Sequence, residues 1–167
     1  MKYANMAVAF SLIVIFGVLS FMRSALYVDE LLLWKDIVVK SPNKARPHHE
    51  LGFAFMMAGN LQEATVHLER AVAMSPNYEY ALVNLAIVYN AIGRKDKARE
   101  LIARNIAINP NFLPALYKQA LWDYETGMLT EALRKYNRII QIDPFSKEAE
   151  FARQMIKLID RNNQWER

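Results

Sequence analysis

The chain opens with a run that carries no charge. Between Lys2 and Arg23 stand 20 residues, YANMAVAFSLIVIFGVLSFM, in which only Asn5, Ser11 and Ser20 are clearly polar. A helix of that length rises about 30 Å, the thickness of a bilayer's hydrocarbon core. The run predicts a transmembrane anchor over residues 1–25, with Tyr3 and Tyr27 placed for the headgroup level. A cleaved signal peptide is the competing reading, because a positive residue precedes the apolar run. Ser20-Phe21-Met22-Arg23, however, puts bulky or charged residues where cleavage needs small ones. After Arg23 the pattern turns amphipathic. Leu31, Trp34, Ile37 and Val38 recur at three- and four-residue steps, with Asp29, Glu30, Lys35, Asp36 and Lys40 between them. That spacing predicts a juxtamembrane helix within residues 26–44 with one buried stripe, stopped by Pro42.

From Pro42 onward the apolar positions recur in blocks. Pro42, Pro76, Pro110 and Pro144 stand 34 residues apart, and Gly59, Gly93 and Gly127 keep the same step. So do Ala64, Ala98 and Ala132, and three markers holding one period define an internal repeat. Cut at that period, the chain yields units 45–78, 79–112 and 113–146. Each predicts a helix, a glycine turn, a second helix and a stop at proline. Pro47 opens its helix where a missing N–H does no harm. Gly52 and Ala64 are small enough to let two antiparallel helices approach closely. The juxtamembrane helix aligns with the second helix of a unit and reads as a half-repeat cap. Residues 147–161 predict a closing helix, with Phe151, Met155, Leu158 and Ile159 inward and Glu150, Arg153 and Lys157 outward. Residues 162–167 read as a short tail.

These units resemble the tetratricopeptide repeat. In the first, the match is Leu51-Gly52-x2-Phe55, Ala64-x3-Leu68 and Pro76. In the second it is Leu85-Ala86-x2-Tyr89, Gly93, Ala98-x3-Ile102 and Pro110, and in the third Ala120, Gly127, Ala132-x3-Tyr136 and Pro144. The resemblance implies an all-α fold. An N-terminal transmembrane helix would be followed by a right-handed α-solenoid of three helix pairs with capping helices. The third unit departs from the pattern: Gln119 stands where leucine is expected and Asp123 where an aromatic is expected. A buried carboxylate without partners is expensive. Either the helix turns so that the pair reaches solvent or a neighbour's hydroxyl, or the two residues form a polar docking spot. Asn105, where alanine is usual, is a milder departure.

A narrower resemblance covers residues 23–52, through Arg23, Asp29-Glu30-x3-Trp34, Ser41-Pro42-Asn43-Lys44-Ala45-Arg46-x-His48 and Leu51-Gly52. It is similar to the junction between the last membrane helix and the repeat tail of bacterial polytopic proteins related to protein O-mannosyltransferases. That resemblance implies an array outside the cytoplasm. The multi-pass catalytic half of those proteins is missing here, so their activity is not implied. The positive-inside count, with Lys2 on one side and Arg23, Lys35 and Lys40 on the other, does not decide the orientation.

Composition narrows the chemistry. With 21 Lys+Arg against 17 Asp+Glu the net charge is +4, too small and dispersed to suggest a nucleic-acid partner. The absence of cysteine removes disulfides, thiolate zinc sites and thiol catalysis together. His48-His49-Glu50 is the one cluster that suggests a metal, yet adjacent histidines on a helix point apart and no i,i+4 histidine pair exists. They read as solvated residues at a helix start, His67 has no evident second ligand, and neither metal nor cofactor is expected. There is no phosphate loop, no G-x-S-x-G and no carboxylate pair with an adjacent base, so the chain does not read as an enzyme. The run Arg94-Lys95-Asp96-Lys97-Ala98-Arg99 reads as a solvated corner.

The surface with most potential is the inner wall made by the first helix of each unit. Projection places Arg46, His49, Phe53 and Met56 there from the first unit. The second supplies Tyr80, Val83, Asn84, Ile87 and Asn90, and the third Tyr117, Leu121, Tyr124 and Glu125. Aromatics and methionine on a concave wall suit an extended or helical peptide, with Asn84 and Asn90 available for its backbone groups. Packing between adjacent helices is the alternative use of the same residues. The expectation is a non-catalytic scaffold or adaptor tethered through residues 3–22 to the plasma (inner) membrane as a single-pass protein, binding a protein or peptide partner. An accessory subunit of a larger membrane complex is a variant of it. An auxiliary or regulatory component of an envelope glycosyltransfer system is the alternative.

Overall fold

The computed structural model describes Phe16 and residues 30–165. The expected anchor over residues 3–22, apart from Phe16, and the beginning of the juxtamembrane helix lie outside the described residues. Phe16 is helical and exposed. Every element among the described residues is a helix, and none of these helices is long and apolar enough to cross a membrane. The chain divides into two compact units, residues 1–74 and 75–167.

The first unit contains α1 (residues 30–40), α2 (Ala45–Met57) and α3 (Leu61–Met74). The expected stripe Leu31, Trp34, Ile37 and Val38 is half-buried, while Leu32, Leu33 and Val39 are exposed. Lys35 sets its ammonium 5.4 Å from the centroid of the Phe55 ring, which brings α1 against α2. Helices α2 and α3 pack as a hairpin around buried Leu51, Ala54, Phe55, Ala64, Leu68 and Ala71. Gly52 sets their separation. A Cβ at this position would stand 2.7 Å from Leu68 Cγ, closer than side-chain carbons approach, so any larger residue pushes the two helices apart.

The second unit contains α4 (Glu79–Ala91), α5 (Lys95–Ile108), α6 (Leu113–Glu125), α7 (Leu129–Ile142) and α8 (Lys147–Trp165). Helices α4/α5 and α6/α7 form hairpins, α5 packs on α6, and α8 lies against both α6 and α7. The hairpin turns share one device. Gly59, Gly93 and Gly127 have φ of 80°, 82° and 79°, a left-handed conformation that favours glycine. The residue after each glycine donates its N–H back to the helix it has just left: Asn60 to the Phe55 carbonyl at 2.9 Å, Arg94 to Tyr89 at 2.8 Å and Met128 to Asp123 at 2.8 Å. These bonds cap carbonyls that would otherwise lack partners.

A second device recurs at the proline turns. Arg104 donates to the Pro76 carbonyl at 2.6 Å and Arg138 to the Pro110 carbonyl at 2.9 Å, each reaching back 28 residues. Arg153 of α8 donates likewise to the Pro144 carbonyl. Each turn is thereby tied to a later helix.

The closing helix differs from its expectation in rotation and in length. Ala149, Ala152 and Ile159 are its buried residues, packed with Leu116, Ala120, Ala132, Tyr136 and Ile139. Met155 and Leu158 are only half-buried and Phe151 is exposed, while Glu150, Arg153 and Lys157 face outward as expected. The two alanines explain the rotation. They let α8 approach α6 and α7 closely, and that contact places the larger residues at the edge. The helix also continues past Arg161 to Trp165, into residues read from the sequence as tail.

Candidate functional site

The residues expected on an inner wall divide by burial. In the first unit Arg46 is exposed and lies 3.8 Å from Glu50, and Phe53 and Met56 are half-buried. In the second unit Tyr80 is 55% exposed, its ring meeting the edge of Phe112 at 5.0 Å. Asn84, Ile87, Asn90, Leu121 and Tyr124 are half-buried and Glu125 is exposed. His49 and Val83 are corrections to that wall, because both are buried. Pro47, His48 and His49 are enclosed in succession at the start of α2, and Ala81, Leu82 and Val83 likewise in α4. Three consecutive residues point around most of a helix, so each start is covered on more than one side. Tyr117 is half-buried and sits 6.1 Å from Tyr136 and 5.9 Å from Phe151, bridging α7 and α8. Burial raises its hydroxyl pKa.

The solvated histidines expected at the start of α2 are in fact buried. His48 is 1% exposed; its Nε2 lies 2.9 Å from the Pro42 carbonyl and its Nδ1 lies 3.0 Å from Nδ1 of His67. A carbonyl can only accept, so Nε2 of His48 carries a proton, and with both rings neutral its Nδ1 accepts from the His67 Nδ1–H. The ring centroids are 5.3 Å apart. With the nitrogens 3.0 Å apart, the ring radii take up the difference and the rings meet edge to edge. A metal ion needs about 2.0–2.1 Å to each nitrogen. An in-line gap of 3.0 Å therefore holds a proton and is too short for a metal between the rings.

The two His48 contacts tie the α1–α2 turn, α2 and α3 together, and the Phe55 ring lies nearly parallel to that of His67 with centroids 5.7 Å apart. Burial lowers the His67 pKa, reinforced by His48, Arg70 and Lys35 against an opposing pull from Glu63. Burial also lowers the His49 pKa, outweighing Glu50 at 3.5 Å. The sequence held one signal for this cluster. In an antiparallel pair where position 52 faces position 64, position 48 lies one turn back on its helix and position 67 about one turn on along the other.

Residues 55–121 match a family model described as tetratricopeptide repeat, and residues 114–146 match a second model of the same description. The chain contains tetratricopeptide repeats. Solved structures agree on the fold. The crystal structure of MamA aligns with a TM-score of 0.62 at 29% identity, over 78% of this chain and 75% of that one. TTC0263, a thermophilic TPR protein in Thermus thermophilus, aligns at 0.70 and 20% identity, over 81% and 75%. The TPR domain of Arabidopsis OM64 aligns at 0.59 and 14% identity, over 68% and 93%. No curated protein matches the sequence.

Against the tetratricopeptide pattern, the third repeat stands out. In the first two repeats the aromatic position holds Phe55 and Tyr89, both buried. In the third, Asp123 occupies it and is buried as well. Its carboxylate bonds the ammonium of Lys135 from α7, with 12% and 14% of the two side chains exposed. The pairing is therefore with a cation on the partner helix, neither with solvent nor with a hydroxyl. Beside Asp123, between α5 and α6, lies a cavity of about 360 Å³. Arg99, Ile102 and Ala103 of α5 line it, with Gln119, Trp122 and Asp123 of α6 and Thr126 and Met128 of the following turn. Both departures noted in the sequence, Gln119 and Asp123, thus meet at one cavity, whereas Arg99 and Trp122 were not anticipated there. Asn105 donates from Nδ2 to the Glu79 carbonyl at 2.7 Å and fixes the start of α4. Tyr136 buries its hydroxyl without a hydrogen-bond partner among the described residues, and burial drives its pKa well up.

Proposed function

We propose that this chain is a non-catalytic scaffold that holds a protein or peptide partner on the first helices of its repeats, beside a membrane to which residues 3–22 tether it. The supporting observation is Tyr80, 55% exposed on a helix in which seven of thirteen residues are buried. An aromatic ring kept on the surface of so apolar a helix suits an anchor for a partner. Around it, half-buried Asn84, Ile87 and Asn90 supply an apolar rung and amide groups, and Leu121, Tyr124 and Glu125 continue the same kind of surface on α6. Arg46, Phe53 and Met56 offer a comparable face on α2.

The tether rests on the uncharged run alone, and the placement is a single-pass protein of the plasma (inner) membrane with the repeats outside the cytoplasm. An accessory role in a larger membrane complex is a form of the same reading. The glycosyltransfer alternative rests only on the resemblance around residues 23–52, and no structural observation favours it. Cross-linking in intact membranes followed by affinity capture tests the scaffold reading. Tyr80→Ala combined with Glu125→Lys should abolish recovery of a defined protein, and recovery at wild-type yield rejects the wall. Protease added to spheroplasts should clip the repeats, and full protection rejects the placement.

A further inference from the structure

Two departures from the chain's own repeat bear on each other. The first is the missing ring at position 123. In the first repeat, Lys35 of the preceding helix covers the Phe55 ring at 5.4 Å. Two periods on, the corresponding positions hold Ala103 and Asp123, and the cavity opens between them. The second departure is an added ring. At the earlier turns the proline is followed by Asn43, Asn77 and Asn111, whereas at the fourth it is followed by Phe145. That ring is 96% exposed.

The turn that carries Phe145 is held in place. Its N–H donates to Asp143 Oδ1 at 3.0 Å, and Ser146 Oγ donates to the Asp143 carbonyl at 2.8 Å. Arg153 binds the Pro144 carbonyl between them. A ring on a fixed turn loses little backbone freedom on docking. We propose that Phe145 of one copy inserts into the α5–α6 cavity of a second copy, joining chains head to tail.

Charge favours this occupant. Within the cavity the Asp123 carboxylate is matched by Lys135, so the charge offered to a visitor is that of Arg99, which is exposed. The visiting turn brings the exposed Asp143 carboxylate two residues before its ring. Arg99 and Asp143 pair as the ring enters, while Ile102, Trp122 and Met128 supply apolar and aromatic walls. The volume falls at the low end of the ~300–1,000 Å³ found for small-ligand clefts, room for the ring together with part of the turn that carries it. Knob and hole are different surfaces of the same unit. The contact is therefore heterologous and propagates into a ring or an open filament. A single inserted ring buries little area, so assembly depends on concentration.

Sedimentation velocity of the full chain in detergent micelles, across a wide concentration range, tests the proposal. The wild type should grow in size with concentration. Phe145→Asn restores the residue of the other turns on an exposed position, and should weaken association by about tenfold or more. Arg99→Asp should do the same. Asp123→Tyr fills the hole and keeps the knob. Mixed with Phe145→Asn, which keeps the hole, it should yield a one-to-one pair and nothing larger. If Asp123→Tyr does not fold, Ala103→Phe fills the cavity from the opposite wall with the Asp123–Lys135 pair intact. A wild type that stays monomeric, or an assembly unchanged by both Phe145→Asn and Arg99→Asp, overturns the proposal.

Discussion

Lowering the pH from 7 to 5 is expected to loosen α1–α3 while leaving α4–α8 protected. All three histidines, His48, His49 and His67, lie in the first unit. In the unfolded chain a histidine takes up its proton near pH 6.5. In the folded chain burial lowers the pKa of both His49 and His67. The fold therefore favours the neutral rings. The stability this lends is fully present above pH 6.5 and is lost as the pH falls below it, where the unfolded chain binds protons that the folded chain refuses. A histidine held fully neutral costs about 2 kcal/mol at pH 5. That figure is the ceiling for each ring, and buried His49 lies nearer to it than half-exposed His67. Against the ~5–15 kcal/mol typical of a folded domain, even part of that ceiling is measurable. Hydrogen exchange by mass spectrometry at pH 7, 6 and 5, corrected for intrinsic rates, reads the two units separately. Peptides from α2 and α3 should lose protection, and those from α6–α8 should not. Equal loss in both units, or a pH profile unchanged in a His49→Gln, His67→Gln double variant, refutes the reasoning.

Three further outcomes follow from packing. Gly52→Val should destabilise the first unit by about 1–3 kcal/mol in urea unfolding, because the added carbons meet Leu68 on the facing helix. Lys135→Met strands the Asp123 carboxylate in a site where only 12% of its side chain is exposed, and should cost about 3 kcal/mol by the same assay. Tyr136→Phe removes a buried hydroxyl that has no partner among the described residues, and should raise the thermal midpoint with a gain of about 1 kcal/mol; a loss of stability would show that the hydroxyl is bonded.

Much of the fold could be read before any coordinates. The 34-residue step located the hairpins, and Gly59, Gly93 and Gly127 marked the left-handed turns. The half-buried stripe of α1 also emerged where periodicity put it. Arg70, Arg104 and Arg138 hold the same step, and Arg104 and Arg138 clamp the turn prolines, a role legible in the spacing. The candidate wall was less legible. Projection onto an ideal helix treats each face as open or closed, and it misplaced His49 and Val83 because their helix starts are covered on more than one side.

The sequence by itself determined the period, the helix pairs, the turns and the places where the pattern breaks. These depend on local backbone preference and on spacing, and both are written in the order of residues. The tertiary structure decided what the breaks mean. Asp123 could not announce its partner, because Lys135 lies 12 residues away on another helix and reaches the carboxylate only once α6 and α7 pack. His48 and His67 likewise meet across 19 residues, and Ala149 and Ala152 set the rotation of α8 through close approach rather than hydrophobicity. In each case the deciding term is which group stands opposite. That follows from helices laid side by side, and no single helix contains it.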